Sequence, residues 1–386
     1  LWSIRQAVHD LGRAAWDVRR RDVRPLHRRL VGLARRHPLE LAMVDEERGA
    51  LRRLTALTGA VCLARALRST WAGQQNVGVL LPSTVPAALV NIAAALAGRC
   101  VVNLNFTAGV DAMSSAARQA DLKTLVTSRR FLRKAGIELP AGLEPVHLED
   151  VRQRIGRRAR VLGLAAAAVA PVSWLERLCG ADRSARADDV ATVIFSSGST
   201  GDPKGVMLSH FNIVSNIDAA TQIFPLASGD RVLLVLPMFH AFGTMILWMA
   251  LHKRIVAVLH PNPLDADAVG RLVQHWRVDF LPATPTFLQL WMRRCTPAQF
   301  GSLRLIVCGA EKLSERLARS FEDQFGIMPL EGYGATECSP VVACSTLDYR
   351  APGFYQPGFR RGSVGQPLPG VSVRIVDLES GDVLPP

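Results

Sequence analysis

The stretch that decides the fold of this 386-residue chain is VATVIFSSGSTGDPKG, at residues 190–205. Residues 190–195 are apolar or β-branched and predict a buried strand. The strand runs into a loop that is rich in glycine and hydroxyl side chains and contains one lysine. Glycines let backbone amides approach an anion closely, while hydroxyls and an ammonium group add donors and positive charge. The stretch therefore predicts a polyanion-binding loop, whose contacts are Ser196, Ser197, Gly198, Ser199, Thr200, Gly201, Lys204 and Gly205.

Three other interpretations of the loop are weaker. A kinase-type phosphate loop needs GxxxxGK[ST], whereas Lys204 follows Pro203 and precedes Gly205. An amidase-type nucleophile loop needs a second lysine or serine pair to activate a serine, and none stands at a suitable spacing. A flexible surface turn does not require the preceding strand together with SSGSTG and PKG.

Strand-length apolar runs alternate with helical patterns on both sides of the loop. Examples are NVGVLLP at 76–82, DRVLLVLP at 230–237 and LRLIVCGAE at 303–311. This rhythm predicts an α/β fold with mostly parallel sheets covered by helices. After Tyr333 it gives way to turns and alternating strands. We expect a first α/β subdomain with a basic N-terminal helical segment, a second carrying the loop, and the start of a β-rich, barrel-like subdomain, at 1–180, 181–332 and 333–386.

The net charge of +13 is the second informative feature. Arginines are dense from Arg19 to Arg24 and from Arg28 to Arg36. Such a field favours an acidic partner, either an acidic carrier protein or an anionic membrane surface, although a solvated arginine-rich face explains it equally well. Nucleic acid is disfavoured, because no basic stripe is interleaved with aromatic residues.

Cysteines and apolar runs bear on the compartment. The seven cysteines are scattered without CxxC spacing, which indicates reduced thiols and a cytoplasmic location. The longest apolar run, 161–175, contains Pro171 and is shorter than the ~20 residues that cross a bilayer. We favour a buried or connecting helix here over one that lies on the inner face of a membrane.

The loop resembles the signature [ST]SG[ST]TGxPKG of the adenylate-forming superfamily, which includes acyl- and aryl-CoA synthetases, luciferases and peptide-synthetase adenylation domains. The resemblance implies the large N-terminal domain of these enzymes, with two helix-covered sheets and a small barrel-like subdomain. It also implies that the loop holds the β- and γ-phosphates of ATP. On the same resemblance, we expect the substrate carboxylate to attack the α-phosphorus and pyrophosphate to leave, while Lys204 neutralises charge.

Three further segments resemble motifs of the same superfamily. LPMFHAFG at 236–243 implies that His240 stands at the mouth of the acyl pocket. VCGAEKL at 307–313 implies an adenine-bordering turn, and EGYGATECSP at 331–340 implies contacts to adenine, the α-phosphate and Mg²⁺. The residues implied are Gly309, Ala310 and Glu311 beside adenine, Tyr333 and Gly334 against the nucleotide, Thr336 near the α-phosphate, and Glu337 as Mg²⁺ ligand.

Within the superfamily, three stretches look most like the acyl-acyl carrier protein synthetase part of bacterial acylglycerophosphoethanolamine acyltransferase/synthetase proteins: residues 105–132, GAEKL at 309–313 and GYGATECSPVV at 332–342. That resemblance implies a long-chain fatty acid substrate, with acyl carrier protein or CoA as the thiol acceptor. Met245, Trp248, Phe287 and Leu288 are expected to line an apolar pocket, which favours an aliphatic acid. Two alternatives stay open: an aryl- or amino-acid-activating domain, and a non-catalytic scaffold on a membrane.

The chain begins at Leu1 and ends in two prolines, and we expect both ends to be cut. The superfamily's ribose-binding aspartate and its small C-terminal domain with a catalytic lysine are expected to lie beyond Pro386. A chain that ends here is expected to bind ATP weakly and to adenylate its substrate very poorly.

Overall fold

A computed structural model describes residues 2–196 and 202–384. Five predicted loop contacts, Ser197, Gly198, Ser199, Thr200 and Gly201, lie outside the described residues. The strands, in chain order, are β1 (Leu41–Asp45), β2 (Gly49–Arg52), β3 (Asn76–Val79), β4 (Cys100–Asn103), β5 (Thr124–Thr127), β6 (Glu144–His147), β7 (Val190–Ser196), β8 (Lys204–Ser209), β9 (Arg231–Leu234), β10 (Val256–Leu259), β11 (Phe280–Ala283), β12 (Leu305–Cys308), β13 (Leu330–Gly334), β14 (Val341–Cys344), β15 (Tyr349–Ala351), β16 (Phe354–Gln356) and β17 (Gln366–Pro367).

Helices connect most of these strands, and a 3₁₀ helix spans Thr336–Cys338. The α-helices are α1 (Trp2–Arg20), α2 (Leu26–Arg36), α3 (Arg53–Leu67), α4 (Val85–Leu96), α5 (Val110–Gln119), α6 (Arg129–Ala135), α7 (Leu148–Arg154), α8 (Arg157–Val169), α9 (Val172–Cys179), α10 (His210–Ile223), α11 (Ala241–His252), α12 (Ala266–Trp276), α13 (Pro285–Met292), α14 (Pro297–Phe300) and α15 (Glu315–Phe325). Ser314 caps α15 by accepting a hydrogen bond from the Leu317 amide.

Two large sheets organise the described chain, and β15 and β16 pair in a third sheet of two strands. One has six strands in the order β6-β5-β3-β4-β7-β8, and the other has nine in the order β17-β14-β13-β12-β11-β9-β10-β1-β2. Pairing is parallel through the middle of each sheet and antiparallel at β7–β8, β1–β2 and β13–β14–β17. Strands β4, β5, β10, β11 and β12 are buried along their whole length, which explains their continuous apolar sequences.

A shared core joins the two sheets. Residues of α4 and α11 pack in one buried cluster with Val79 of the six-stranded sheet and Leu234 of the nine-stranded sheet. The hydroxyl of Ser83, after β3, donates to the carbonyl of Leu236, after β9, at 3.0 Å. This contact ties together the loops that follow one strand of each sheet.

The sheets do not follow the three predicted segments. Strands β1 and β2, from the first segment, close the edge of the nine-stranded sheet, while β7 and β8, from the second, complete the six-stranded one. Strands β14 and β17 extend the larger sheet rather than forming a separate one. Strand pairing between distant segments decides which sheet a strand joins, so the sheets do not test the domain boundaries. The boundaries at 180 and 332 remain a prediction.

Candidate functional site

A cavity of about 660 Å³ opens at the carboxyl ends of β9, β12 and β13. These strands belong to one sheet, and β12 is parallel to both β11 and β13, so the loops that follow them meet at the same edge. The cavity is lined by seven residues that were predicted as site residues: His240, Gly309, Ala310, Glu311, Tyr333, Gly334 and Thr336. Tertiary structure thus brings together three motifs that are separated by up to about 100 residues in sequence.

His240 lies immediately before α11 and forms its N-cap position. Its amide donates to Pro237 O at 3.1 Å, and its carbonyl accepts from the Thr244 amide at 3.0 Å. The ring stands against Phe239, with centroids 4.7 Å apart, and faces the cavity. Desolvation by the cavity walls lowers the pKa of the imidazole below its ordinary value, so the neutral ring is the form present near pH 7.

Gly309, Ala310 and Glu311 form the turn after β12. Ala310 has a φ of +70°, a left-handed conformation that is uncommon for a residue with a Cβ. Glu311 reaches across to the first turn of α13, where the Thr286 hydroxyl donates to its carboxylate at 2.6 Å. The turn therefore forms one wall of the cavity, and the Glu311 carboxylate is already engaged by a neighbour.

Tyr333 and Gly334 end β13, and Thr336 and Glu337 begin the 3₁₀ helix. The Tyr333 side chain is 54% exposed and lines the cavity. Gly334 allows a close approach of two strands, because a Cβ at this position would overlap the carbonyl oxygen of Pro340. Glu337 is exposed near the cavity wall rather than part of it.

The described ends of the glycine-rich loop form a hairpin. Ser196 of β7 pairs with Lys204 of β8, and Phe195 pairs with Gly205. Strand β8 contacts the 3₁₀ helix Thr336–Cys338, so Lys204 belongs to a strand that lies beside the segment carrying Thr336 and Glu337. The structure thus places the base of the predicted phosphate loop next to the predicted α-phosphate and Mg²⁺ contacts.

The inner wall of the cavity is apolar. Phe224, Met245, Ile246, Met249 and Phe280 line it, together with Ala220, Val341 and Cys344. Two of the four predicted pocket residues, Met245 and Phe287, are in this lining. Trp248 and Leu288 are instead 2% and 0% exposed and pack in the two hydrophobic cores. They point away because helices α11 and α13 each turn only one side toward the cavity.

Several lining residues were missed by the sequence prediction. They are Phe106, Thr107, Phe224, Phe242, Thr284 and Thr286. Thr284 and Thr286 directly follow the buried strand β11, and a polar residue after such a strand is a signal that would have indicated them. Phe224 carries no comparable signal, since an apolar residue at the end of a helix usually belongs to the core.

Among residues 2–196 and 202–384, no group of three or more His, Cys, Asp or Glu side chains is placed to hold a metal ion. Nor does any helix in the described part of the chain combine the length and apolar character that crossing a bilayer requires.

The hairpin that carries Lys204 lies beside the Tyr333–Glu337 segment, and residues 333–336 of that segment line the cavity. A family model described as AMP-binding enzyme matches residues 34–386. The chain belongs to this family, and the α/β fold with mixed, helix-covered sheets is the one expected for its large N-terminal domain.

This chain is similar to ligases that are named for different acids. It is 26% identical over 318 residues to a 4-coumarate–CoA ligase of Pinus taeda, covering 81% of this chain and 57% of the relative. It is 27% identical over 203 residues to a long-chain-fatty-acid–CoA ligase of Haemophilus influenzae, covering 50% of this chain and 35% of the relative. The chain therefore spans little more than half the length of these relatives at most.

A solved structure agrees with the fold. ATP-bound MatB from Rhodopseudomonas palustris superposes with a TM-score of 0.72 at 26% identity, covering 94% of this chain and 68% of that one.

Proposed function

We propose that this protein activates a carboxylic acid as its acyl-adenylate with ATP, and that the acyl group then passes to a thiol. One observation carries the proposal. His240, the Gly309–Glu311 turn and the Tyr333–Thr336 segment line a single cavity, whose inner wall is apolar and whose outer side lies near the hairpin of Lys204. An acid with an apolar tail and a nucleotide fit side by side in such a cavity.

The proposed chemistry has two steps. A carboxylate oxygen attacks the α-phosphorus of ATP, the bond from phosphorus to the bridging oxygen of pyrophosphate breaks, and pyrophosphate leaves. A thiolate sulfur then attacks the acyl carbonyl carbon, and AMP leaves with the electrons of the broken carbon–oxygen bond. The first step brings two anions together, so positive charge beside the phosphates is needed to lower the barrier.

We assign roles to this chain's own residues on that basis. Lys204 neutralises phosphate charge from the end of β8, and Thr336 donates from its hydroxyl to the α-phosphate. The Tyr333 ring packs on adenine, with Gly309 to Glu311 and Gly334 forming the rest of the base pocket. His240, neutral at pH 7, orients the carboxylate by hydrogen bonding between the acyl pocket and the nucleotide.

Glu337 suits a Mg²⁺ ion that takes most of its ligands from elsewhere. The exposed carboxylate supplies one hard oxygen ligand, and phosphates and water supply the others, as is usual for nucleotide-bound Mg²⁺. When bound, the ion screens phosphate charge. The described residues offer no three-ligand cage, which fits an ion that arrives with ATP.

For the acid, we propose a long-chain fatty acid, with acyl carrier protein or CoA as the acceptor, as in acyl-acyl carrier protein synthetases. The support is the aliphatic and aromatic inner wall. Glu311 is the one acid among the described lining residues, and it lies near the cavity mouth bonded to Thr286. An amino-acid substrate would need an acid at the inner end to pair with its ammonium group.

Binding of stable acyl-adenylate analogues tests this proposal, because it does not require turnover. Dodecanoyl-, coumaroyl- and aminoacyl-sulfamoyladenosine would be titrated into the protein by calorimetry, with sulfamoyladenosine alone as reference. We expect the dodecanoyl analogue to bind at least about 10-fold more tightly than the reference. Failure of every analogue and of ATP to bind would overturn adenylate formation and favour the scaffold alternative.

An aryl acid is the second candidate. It is favoured by Phe224 and Phe280 in the inner wall, whose ring centroids lie 6.4 Å apart at a 31° interplanar angle. Such a pair offers an aromatic substrate a stacking surface. Tighter binding of the coumaroyl than of the dodecanoyl analogue would decide for it.

A further inference from the structure

We propose that the outer face of α8, with the first turn of α9, docks this protein on an anionic membrane surface. We call this surface the α8–α9 face and define it by Val161, Leu162, Leu164, Val169 and Trp174. The inference does not depend on the proposed ligase activity.

Helix α8 has one packed side and one open side. Gly163 and Ala167 are buried, and α8 packs along α3. Gly163 is needed for this contact, because a Cβ there would overlap the sulfur of Cys62. The inner side of α8 is thus closely packed, whereas its outer side is open to solvent.

The α8–α9 face is unusually apolar for a surface. Its five side chains are between 46% and 79% exposed. They follow one another over a helix of 13 residues, roughly 20 Å long, and its neighbour across Pro171. Contiguous exposed apolar side chains of this kind mark interaction sites, whereas isolated ones do not. The sequence prediction of a buried helix is therefore right only for the inner side.

The charged residues around the α8–α9 face favour an anionic partner. Every exposed charged side chain between 151 and 180 is an arginine: Arg152, Arg154, Arg157, Arg158, Arg160 and Arg177. The single acid in that range, Glu176, is buried and bound by Arg28 and His27. Asp150, which directly precedes this range, forms a bidentate ion pair with Arg129. The apolar side chains are therefore bordered by cations without competing exposed acids within this range.

A convex apolar helix face bordered by arginines matches the membrane interface. The aliphatic side chains enter the boundary between headgroups and acyl chains, and arginines pair with lipid phosphates. Tryptophan is enriched at this depth, which suits Trp174. An acidic protein partner would have to supply a groove for the same ridge, whereas a bilayer needs none.

Vesicle binding tests the proposal. The protein would be sedimented with phosphatidylcholine vesicles and with vesicles that contain 30% phosphatidylglycerol. We expect binding to the anionic vesicles only, with affinity that falls as salt rises. The vesicle-induced blue shift in tryptophan fluorescence is expected to be lost in Trp174→Phe.

Two variants separate the contributions of charge and of apolar contact. R157E/R158E/R160E is expected to weaken vesicle binding by at least about 100-fold, since each cation near an anionic surface contributes about a factor of five. V161S/L162S/V169S is expected to weaken it by at least about 10-fold. The matched control is R271E/R293E/R294E, which makes the same charge change at exposed positions on α12 and just after α13.

The proposal is overturned if the wild-type protein does not bind anionic vesicles. It is also overturned if the control triple weakens binding as much as R157E/R158E/R160E, because net charge alone would then explain the attraction. Binding to an acidic carrier protein through this face, without binding to vesicles, would assign the face to a protein partner instead. Circular dichroism and thermal unfolding of each variant show whether it remains folded.

Discussion

Asn216 on α10 binds Val341 through both ends of its side-chain amide. The Nδ2 group donates to Val341 O at 2.7 Å, and Oδ1 accepts from Val341 N at 3.2 Å. Nδ2 also lies 3.3 Å from Cys338 O. Asn216 is buried, so these backbone groups have little access to water. One helix side chain therefore holds both ends of the segment that follows Thr336 and Glu337.

Asn216→Ala is expected to loosen that segment. Leaving the Val341 backbone groups without this partner costs about 2 kcal/mol of unfolding free energy. We also expect about 10-fold weaker binding of ATP, because Thr336 and Glu337 lose their fixed position. Calorimetry with ATP and urea unfolding measure the two effects. Gln222→Ala, an exposed change on the same helix, serves as the control, and equal ATP affinity in N216A and wild type would refute the positioning role.

Gly243 is expected to tolerate no side chain. A Cβ at this position would overlap the carbonyl oxygen of Pro237, which also accepts the amide of His240. Gly243→Ala should therefore lower the free energy of unfolding by about 2 kcal/mol and displace the start of α11. Gly301→Ala is the matched control, since its Cβ would lie 3.5 Å from Ala298 O, an ordinary contact. Similar unfolding midpoints for the two variants in urea would contradict this prediction.

Tyr333 is expected to contribute to nucleotide affinity through its ring rather than its hydroxyl. Tyr333→Ala should weaken ATP binding about 10-fold, the size of a stacking contact between a base and an aromatic side chain. Tyr333→Phe should change it less than about 2-fold, since the ring remains. Tyr349→Ala, at a 59% exposed position away from the cavity lining, is the control. If Y333F bound ATP as weakly as Y333A, the hydroxyl would be the important group.

Ala220 lies in the inner wall of the cavity and offers a way to shorten it. Ala220→Phe places a ring there and is expected to weaken binding of dodecanoyl-sulfamoyladenosine at least about 10-fold by steric exclusion. A butanoyl analogue and ATP should bind the variant as they bind the wild type, which controls for folding. Equal losses for the long and short analogues would show that Ala220 does not border the acyl chain.

Buried histidines make stability depend on pH. Burial lowers the pKa of His210 to about 3 and that of His252 to about 4, from an ordinary value of 6.5. Between those values the unfolded chain binds protons that the folded chain does not, so unfolding becomes easier as pH falls below about 6.5. Above that pH, protonation of these two histidines does not reduce the free energy of unfolding.

Each histidine is expected to cost roughly 2 kcal/mol of unfolding free energy by pH 5. Urea unfolding at pH 7.5 and pH 5 measures the sum. His252→Gln keeps a donor for the Leu26 carbonyl, which His252 Nε2 binds at 2.8 Å, and should reduce the loss of unfolding free energy between pH 7.5 and pH 5 by roughly 2 kcal/mol. His275→Gln, a change at an exposed position, is the control. An unaltered slope in H252Q would show that His252 is not a source of it.

Sequence by itself determined the elements whose signal is local. Residue spacing and side-chain chemistry within about ten positions indicate the strand Val190–Ser196 and the strand–turn segments around His240, Gly309 and Tyr333. The same local signals named seven residues that line one cavity. Their assignment to a nucleotide and an acid came from the resemblance of those motifs to a known superfamily and remains a prediction, whereas the family match shows membership of the superfamily.

Only the tertiary structure decided what depends on packing between distant segments. Pairing between distant strands placed β1 beside β10 and β7 beside β4, with β2 and β8 at the edges next to β1 and β7. Helix α11 is apolar all round, so periodicity did not show that Met245 faces the cavity while Trp248 faces the core. In α8, likewise, it is the contact with α3 that leaves Val161 and Val169 in solvent. When a helix has no polar stripe, its sequence does not indicate which side is buried. Packing against neighbouring elements decides it.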